Sequence, residues 1–500
     1  MQKAVVVTAA AAAVVVGAFT GVAAWSGSAV TTRLEQQTAE LEKTFPMLKV
    51  VDQKIERGLF SSTRSFTLRF GCMPSVVPPD ATSGKPPQPE PLELHWRDVI
   101  HHGPFPGGSG LGLASIDSEL VSPPAWKARI EQLTSKRPLV AVHTAIDLHG
   151  AVTSDLTVPP LHYTDPALGT FDTKGLSART QLDASYSAAR GGSYTVDMPG
   201  IELSARAVDG TSLTMKIGPS HGKTEVGPRP DPTLWFGPLK SSGTTSSLEL
   251  LGTAALGLPV KPVQASFKEL KFDAVSTLDK GLFSSTNHMT AKGLINQVAI
   301  DQVELRASVK RIDAASYQKL VRTMFGSVFS CDAAVQQAGM DSALAALQSE
   351  LSTLLVHNPE YSLDTLAVEL GGKRAELSYS FGTAGITSAD AGQPLPALML
   401  TKGVLRASVK VHTGLIAQII KQLGGLDPAA AAAAGLPSGA GASDQTLALV
   451  NSMTDQFVQL GYIERDGESL KASASYQAGS VLVNGKPMAL PDFGALAGGK

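Results

Sequence analysis

Two cysteines, Cys72 and Cys331, are all that 500 residues contain. They form no CxxC and no Cys/His pair at finger spacing, which excludes a structural zinc module. Excess charge of either sign is also lacking. The net charge of −2 is spread without blocks, leaving no basic face for nucleic acid and no polybasic lipid patch. Motifs of familiar chemistry are missing: there is no G-x-S-x-G elbow, no phosphate loop and no H-E-x-x-H helix. Gly107, Gly108, Gly110 and Gly112 miss the dinucleotide spacing and follow no strand–helix unit. No catalytic residue, cofactor or nucleic-acid partner is expected.

What is present begins with an apolar run, Ala4 to Trp25, without a charge in 22 positions. At about 1.5 Å of rise per residue, a helix of that length crosses a hydrocarbon core of ~30 Å. A retained signal-anchor is favoured over a cleaved signal peptide, because cleavable apolar regions usually run ~7–15 residues. Small-residue cleavage patterns at Val22-Ala23-Ala24 and Gly27-Ser28-Ala29 keep the second reading open. A core helix is disfavoured, since the run is apolar all round. Lys3 and the amino terminus on one side place the body on the other.

The rest is soluble sequence, 43% hydrophobic overall. Leu34, Thr38, Leu41 and Phe45 predict a short helix that Pro46 ends. Strand alternation then dominates, as in Phe66, Leu68 and Phe70. Asp209-Gly210 signals a hairpin. Residues 218–246, rich in Gly, Pro and Ser, read as a long loop and the main internal boundary. Two vocabularies recur: GLFSST follows both Arg57 and Lys280, and LRASVK stands at 305–310 and 405–410. In each hexamer Leu, Ala and Val point one way, and a helical pattern follows. Leu305, Ala307, Val309 and their counterparts Leu405, Ala407, Val409 are expected to be buried.

The cysteines form either one bridge, if the body lies in an oxidising compartment, or two buried thiols. His143, Asp147 and His149 fall on the polar face of one predicted strand, and Asp-x-His could chelate a divalent ion. The plainer reading, a wet strand face with no fourth ligand, is preferred. His101 and His102, adjacent in a turn region, do not share a metal. Ser61, Ser62, Ser284 and Ser285 read as turn residues rather than nucleophiles.

RGLFSS at 57–62, HHGPFP at 101–106 and ASYQAGSVLVNGKPMALPDF at 474–493 resemble the YdgA-like family of bacterial envelope proteins, a domain of unknown function. The resemblance implies a Gram-negative protein in the bacterial inner membrane, single-pass, with its body in the periplasm. It carries no reaction and no catalytic residue.

The expected fold is α+β, with predominantly antiparallel β-sheets and segregated amphipathic helices, preceded by one N-terminal transmembrane helix. Residues 1–30 are assigned to the anchor, 31–46 to a juxtamembrane helix, 47–230 to a first β-rich region and 231–500 to a second with helices. The membrane is a partner through the N-terminal helix. The favoured function is a non-catalytic interaction or scaffold module, binding an envelope protein or a second copy. The alternative is a groove for a lipid or other hydrophobic ligand. A continuous Leu/Val/Ala-lined trough open to solvent favours the alternative, and two closed cores favour the scaffold.

Overall fold

The computed structural model describes most of the chain between residues 29 and 488, apart from 73–90, 184–190, 207–210, 253–262, most of 333–349, 424–441 and some shorter stretches. The apolar run Ala4–Trp25, the Pro-rich stretch after Cys72, the Asp209-Gly210 turn and the Ala/Gly insert near 428–442 lie outside those residues.

Alternating sequence becomes strand, and each strand pairs with its neighbour in sequence. β1 (Leu48–Arg57), β2 (Ser61–Cys72), β3 (Pro91–His102), β4 (Ala114–Val121) and β5 (Ala141–Ile146) form the first ladders, all antiparallel. Four long strands follow, each broken midway. They are β6–β7 (Val152–Val158, Leu161–Asp165), β8–β9 (Gly169–Thr173, Leu176–Leu182), β10–β11 (Gly192–Met198, Ile201–Arg206) and β12–β13 (Ser212–Ile217, Ser220–Val226). Their halves pair in step, and both halves of the last pair with β14 (Leu239–Gly252). β15 (Val263–Asp279), β16 (Leu282–Ile295), β17 (Val298–Asp313), β18 (Glu360–Leu370), β19 (Lys373–Thr383) and β20 (Gly403–His412) continue the meander. β22 (Ser469–Gln477) pairs with β20, and the short β21 (Glu464–Asp466), β23 (Ser480–Val483) and β24 (Lys486–Met488) finish it.

The mid-strand breaks fall on one line: Pro159-Pro160, Lys174-Gly175, Pro199-Gly200, Gly218-Pro219, then Ser246 and Glu269. Proline cannot donate to a ladder, so it is tolerated only where the ladder is interrupted. Single bonds stitch the crease: the Lys174 N–H donates to the Gly200 carbonyl, and Ser246 N–H to that of Pro219. Glu269, at φ 54°, sits in a bulge between Lys268 and Lys271. That extra residue brings both Phe267 and Phe272 to the Met289 side of β16, because they oppose Gly293 and Met289.

Helices decorate this sheet. α1 spans 29–43 and buries Val30 among Ile100, Ala114, Ile116, Ile146 and Val152. Glu35 reaches Arg57 at 3.5 Å and Glu42 accepts the Val50 N–H at 2.7 Å, so α1 runs antiparallel to β1. α2 (Pro124–Leu133) links β4 to β5, and α3 (Ala314–Val328) follows β17. α3 begins at Asp313, whose carboxylate caps the Ser316 N–H at 2.9 Å. α4 (Leu395–Lys402), α5 (Thr413–Leu423) and α6 (Ala442–Gln459) follow, with α5 packed on β19, β20 and α6.

The expected α+β layout is therefore corrected to one large antiparallel sheet with appended helices, at 59% strand against 20% helix. No helix among the described residues is long and apolar enough to cross a membrane. The run that the sequence reading assigns to such a helix lies outside them. Local composition misleads at 218–246: Ser241 to Ser247 lie inside β14, where hydroxyls bond across strands, Thr224 with Ser241 at 2.9 Å and Ser220 with Thr245 at 3.0 Å. β13 ends at Val226 and β14 begins at Leu239, and the two pair directly across the 227–238 connection, so the sheet continues past it. Both LRASVK copies are strands with the same alternation, β17 and β20, followed by α3 and α5. Their apolar side, however, is not buried: Leu405 is 41% exposed.

Candidate functional site

Directly opposed residues share a sheet face. Read through the register, β17 to β24 place three apolar rows side by side. The first is Val309, Tyr361, Phe381, Leu405, Tyr476, Val481 and Met488. The second is Ala307, Leu363, Tyr379, Ala407, Ala474 and Val483, and the third Leu305, Leu366, Leu377, Val409 and Ala472. Met289 and Phe272 extend the third row onto β16 and β15. No charged residue interrupts the rows. Tyr361, Leu377, Tyr379, Phe381, Leu405 and Val409 are each between 38% and 49% exposed. With strands ~4.8 Å apart and alternate residues ~7 Å apart, the rows from β17 to β23 cover roughly 24 by 14 Å. That is the size of the largest apolar patches on monomers, which are often functional.

The opposite face of the same strands is polar and internally satisfied. Ser308 bonds Ser362 at 2.7 Å and Ser378 bonds Ser408 at 2.8 Å. An open cavity of about 450 Å³ over this face is lined by Ser362, Ser378, Ser408, Ser473, Glu360 and Arg406. Glu304 and Glu360 on this face are already matched. The Arg374 hydrogen bond at 2.8 Å holds Glu304 below its usual pKa against the opposing effect of burial, and Lys310 does the same for Glu360. An uncharged, extended molecule fits the first face, and paired charges occupy the second.

One end of the apolar face is closed by an aromatic rib. Phe236 packs between Phe283 and Tyr317, at 5.4 and 5.2 Å. Burial, with Tyr317 nearby, raises the pKa of the Tyr361 hydroxyl. Phe45 stacks on Trp235 at 5.2 Å, and Phe325 follows Trp235 at 6.2 Å. The rib reaches β2, where Gly71 is required: a Cβ there would stand 1.9 Å from the Phe329 carbonyl oxygen. Beside it Cys72 and Cys331 form a disulfide with Cα atoms 4.8 Å apart.

The residues singled out for metal binding do not meet. His143 lies on β5 and its Nδ1 stands 2.7 Å from an Asp117 oxygen. β5 ends at Ile146, so Asp147 and His149 belong to the following turn. There the Asp147 carboxylate accepts the N–H groups of His149 and Ala151, both at 2.8 Å. Among the described residues no group of three or more His, Cys, Asp or Glu is placed to hold a metal.

Sequence reasoning missed a contact between two of its own motifs. Ser62 of RGLFSS lies 3.0 Å from His102 Nε2 of HHGPFP. His102 Nδ1 stands 3.1 Å from the Leu59 carbonyl, which can only accept, so the proton sits on Nδ1 and Nε2 accepts the serine hydroxyl. Ser62 is 2% and His102 5% exposed, so a substrate has no access and the pair serves to tie two turns together. Arg64 and Asp98, bonded at 2.7 Å, are buried two residues further along β2 and four residues back along β3.

No curated protein and no solved structure is matched by this chain. A family model described as a bacterial protein of unknown function (DUF945) matches it over residues 1–491. Because that match runs almost from end to end, the chain belongs to this bacterial family.

Proposed function

We propose that the protein is a non-catalytic component of the Gram-negative cell envelope that holds a lipid, or a similar hydrophobic molecule, along its apolar sheet face. The observation that carries this is the open, uncharged surface of three rows, where a scaffold with closed cores would have buried the same side chains. Burial of exposed apolar area is worth about 25 cal/mol per Å², so covering even 300 Å² of it favours an acyl-chain-like ligand by roughly 7 kcal/mol before association costs. The three motifs support reading it as one of the YdgA-like members of the family. A periplasmic position beside the inner membrane accords with the disulfide, which persists in oxidising compartments, and with the uncharged run Ala4–Trp25 as an export signal. Mass spectrometry of organic extracts of the purified full chain tests the reading. A stoichiometric co-purifying lipid is the expected result, and a lipid-free protein that takes up no fluorescent fatty acid would exclude it.

A further inference from the structure

β1, β3 and β5 all run toward one edge of the sheet, and their exits lie there together. The exits are the turn at 58–60, the connection at 103–113 and the turn at 147–151. Each carries a large apolar side chain in the open: Leu59 is 50% exposed, Leu111 63% and Leu148 51%. The 103–113 connection contains no charge at all, and the Asp147 carboxylate of the third turn is taken up by backbone N–H groups. The opposite edge is mixed: Leu92 and Val121 are exposed there, but charged side chains accompany them. There the β4–β5 connection exposes Lys127, Glu131, Lys136 and Arg137.

α1 starts at the apolar edge. Its contacts with Arg57 and Val50 set its direction, and about 1.5 Å per residue puts residue 29 roughly 9 Å beyond the level of Glu35. The sequence leading into it is uncharged from Ala4 to Trp25. Separate loop tips, each offering a leucine at one level, make a poor continuous protein interface. They suit the headgroup–acyl boundary, where apolar tips sink in while loop backbone stays hydrated.

From this juxtaposition we infer that the edge formed by the turns at 58–60, 103–113 and 147–151 rests on a lipid bilayer. The inference goes beyond ligand binding and stands without it. It fixes the orientation of the body: β1, β3 and β5 point at the membrane, and the charged β4–β5 connection points away.

The test uses the full chain reconstituted in phosphatidylethanolamine–phosphatidylglycerol vesicles with brominated acyl chains. Leu59→Cys, Leu111→Cys, Leu148→Cys and Lys127→Cys are each labelled with an environment-sensitive fluorophore, leaving Cys72–Cys331 oxidised. The three edge probes should shift to the blue and lose most of their emission to bromine, while the probe at 127 does neither. Equal behaviour at all four positions would overturn the inference. So would edge probes shielded from aqueous iodide yet untouched by bromine, the signature of a protein covering the edge instead. Each substituted position is exposed, and three independent edge sites keep one misfolded variant from deciding the outcome.

Discussion

Two leucines on neighbouring elements separate the open face from the closed core. Leu415 in α5 is 1% exposed, and Leu405 in β20, facing the apolar rows, is 41% exposed. Leu415→Ala removes a fully enclosed side chain and leaves a cavity, which costs about 2–5 kcal/mol. Leu405→Ala removes a side chain already two-fifths in water, and solvent fills the space. At ~2 kcal/mol for full burial, the remaining three-fifths amounts to about 1 kcal/mol, with no cavity contribution. Urea unfolding of the delipidated full chain in mild detergent should therefore rank wild type, Leu405→Ala and Leu415→Ala in that order, the second gap being the larger. The ligand arm inverts the ranking. Per folded molecule, Leu415→Ala should retain co-purifying lipid while Leu405→Ala retains less, because only Leu405 touches the occupied surface. Equal destabilisation by the two substitutions would mean the face is covered, and the open-face reasoning would fail.

Reducing the disulfide, or Cys331→Ser, opens a loop with a sequence separation of 259. Chain entropy sets an upper value of about 5–6 kcal/mol, read as the loss in unfolding free energy with and without reductant. Asp98→Ala strands the Arg64 guanidinium, which is 8% exposed, and should cost about 3–5 kcal/mol, far more than Asp155→Ala at the exposed Arg179 pair. Thermal melts compare the two. Glu304 and Glu360 have folded pKa values lowered from the usual 4.5 by Arg374 and Lys310. Their contribution is thus complete above that value and is lost as pH falls through the lower folded ones. Melting temperature should drop more steeply in wild type than in Glu304→Gln as pH goes from 5 toward 3; parallel profiles would refute the assignment.

Much of this architecture can be read locally. The LRASVK alternation and the helix after each hexamer lie in the chain order and spacing that the residues announce. The continuity of the sheet does not. Ser241 to Ser247 look like linker because serine and threonine are common in loops, and only partners such as Thr224 and Ser220, 17 and 25 residues away in sequence, make them strand. Exposure is equally hidden. Leu405 and Val409 read as core because apolar faces usually are, and nothing local tells a face with a second layer from one without. The less favoured metal reading rests on the same kind of assumption: period two places His143, Asp147 and His149 together only if the strand continues, and it stops at Ile146.

A sheet in which every strand pairs with its sequence neighbour also has a direction of assembly. Delivered amino terminus first, each new strand finds its partner already in place, so most of the fold needs no search across the chain. The exceptions are the Phe45–Trp235–Phe325 rib and the Cys72–Cys331 bond, which must wait until more than three hundred residues have emerged. Throughout that interval the most recently formed strand presents an unpaired edge, an invitation to another copy of the chain. Strands of four and three residues, β23 and β24, end the series by leaving too little edge for another chain to read.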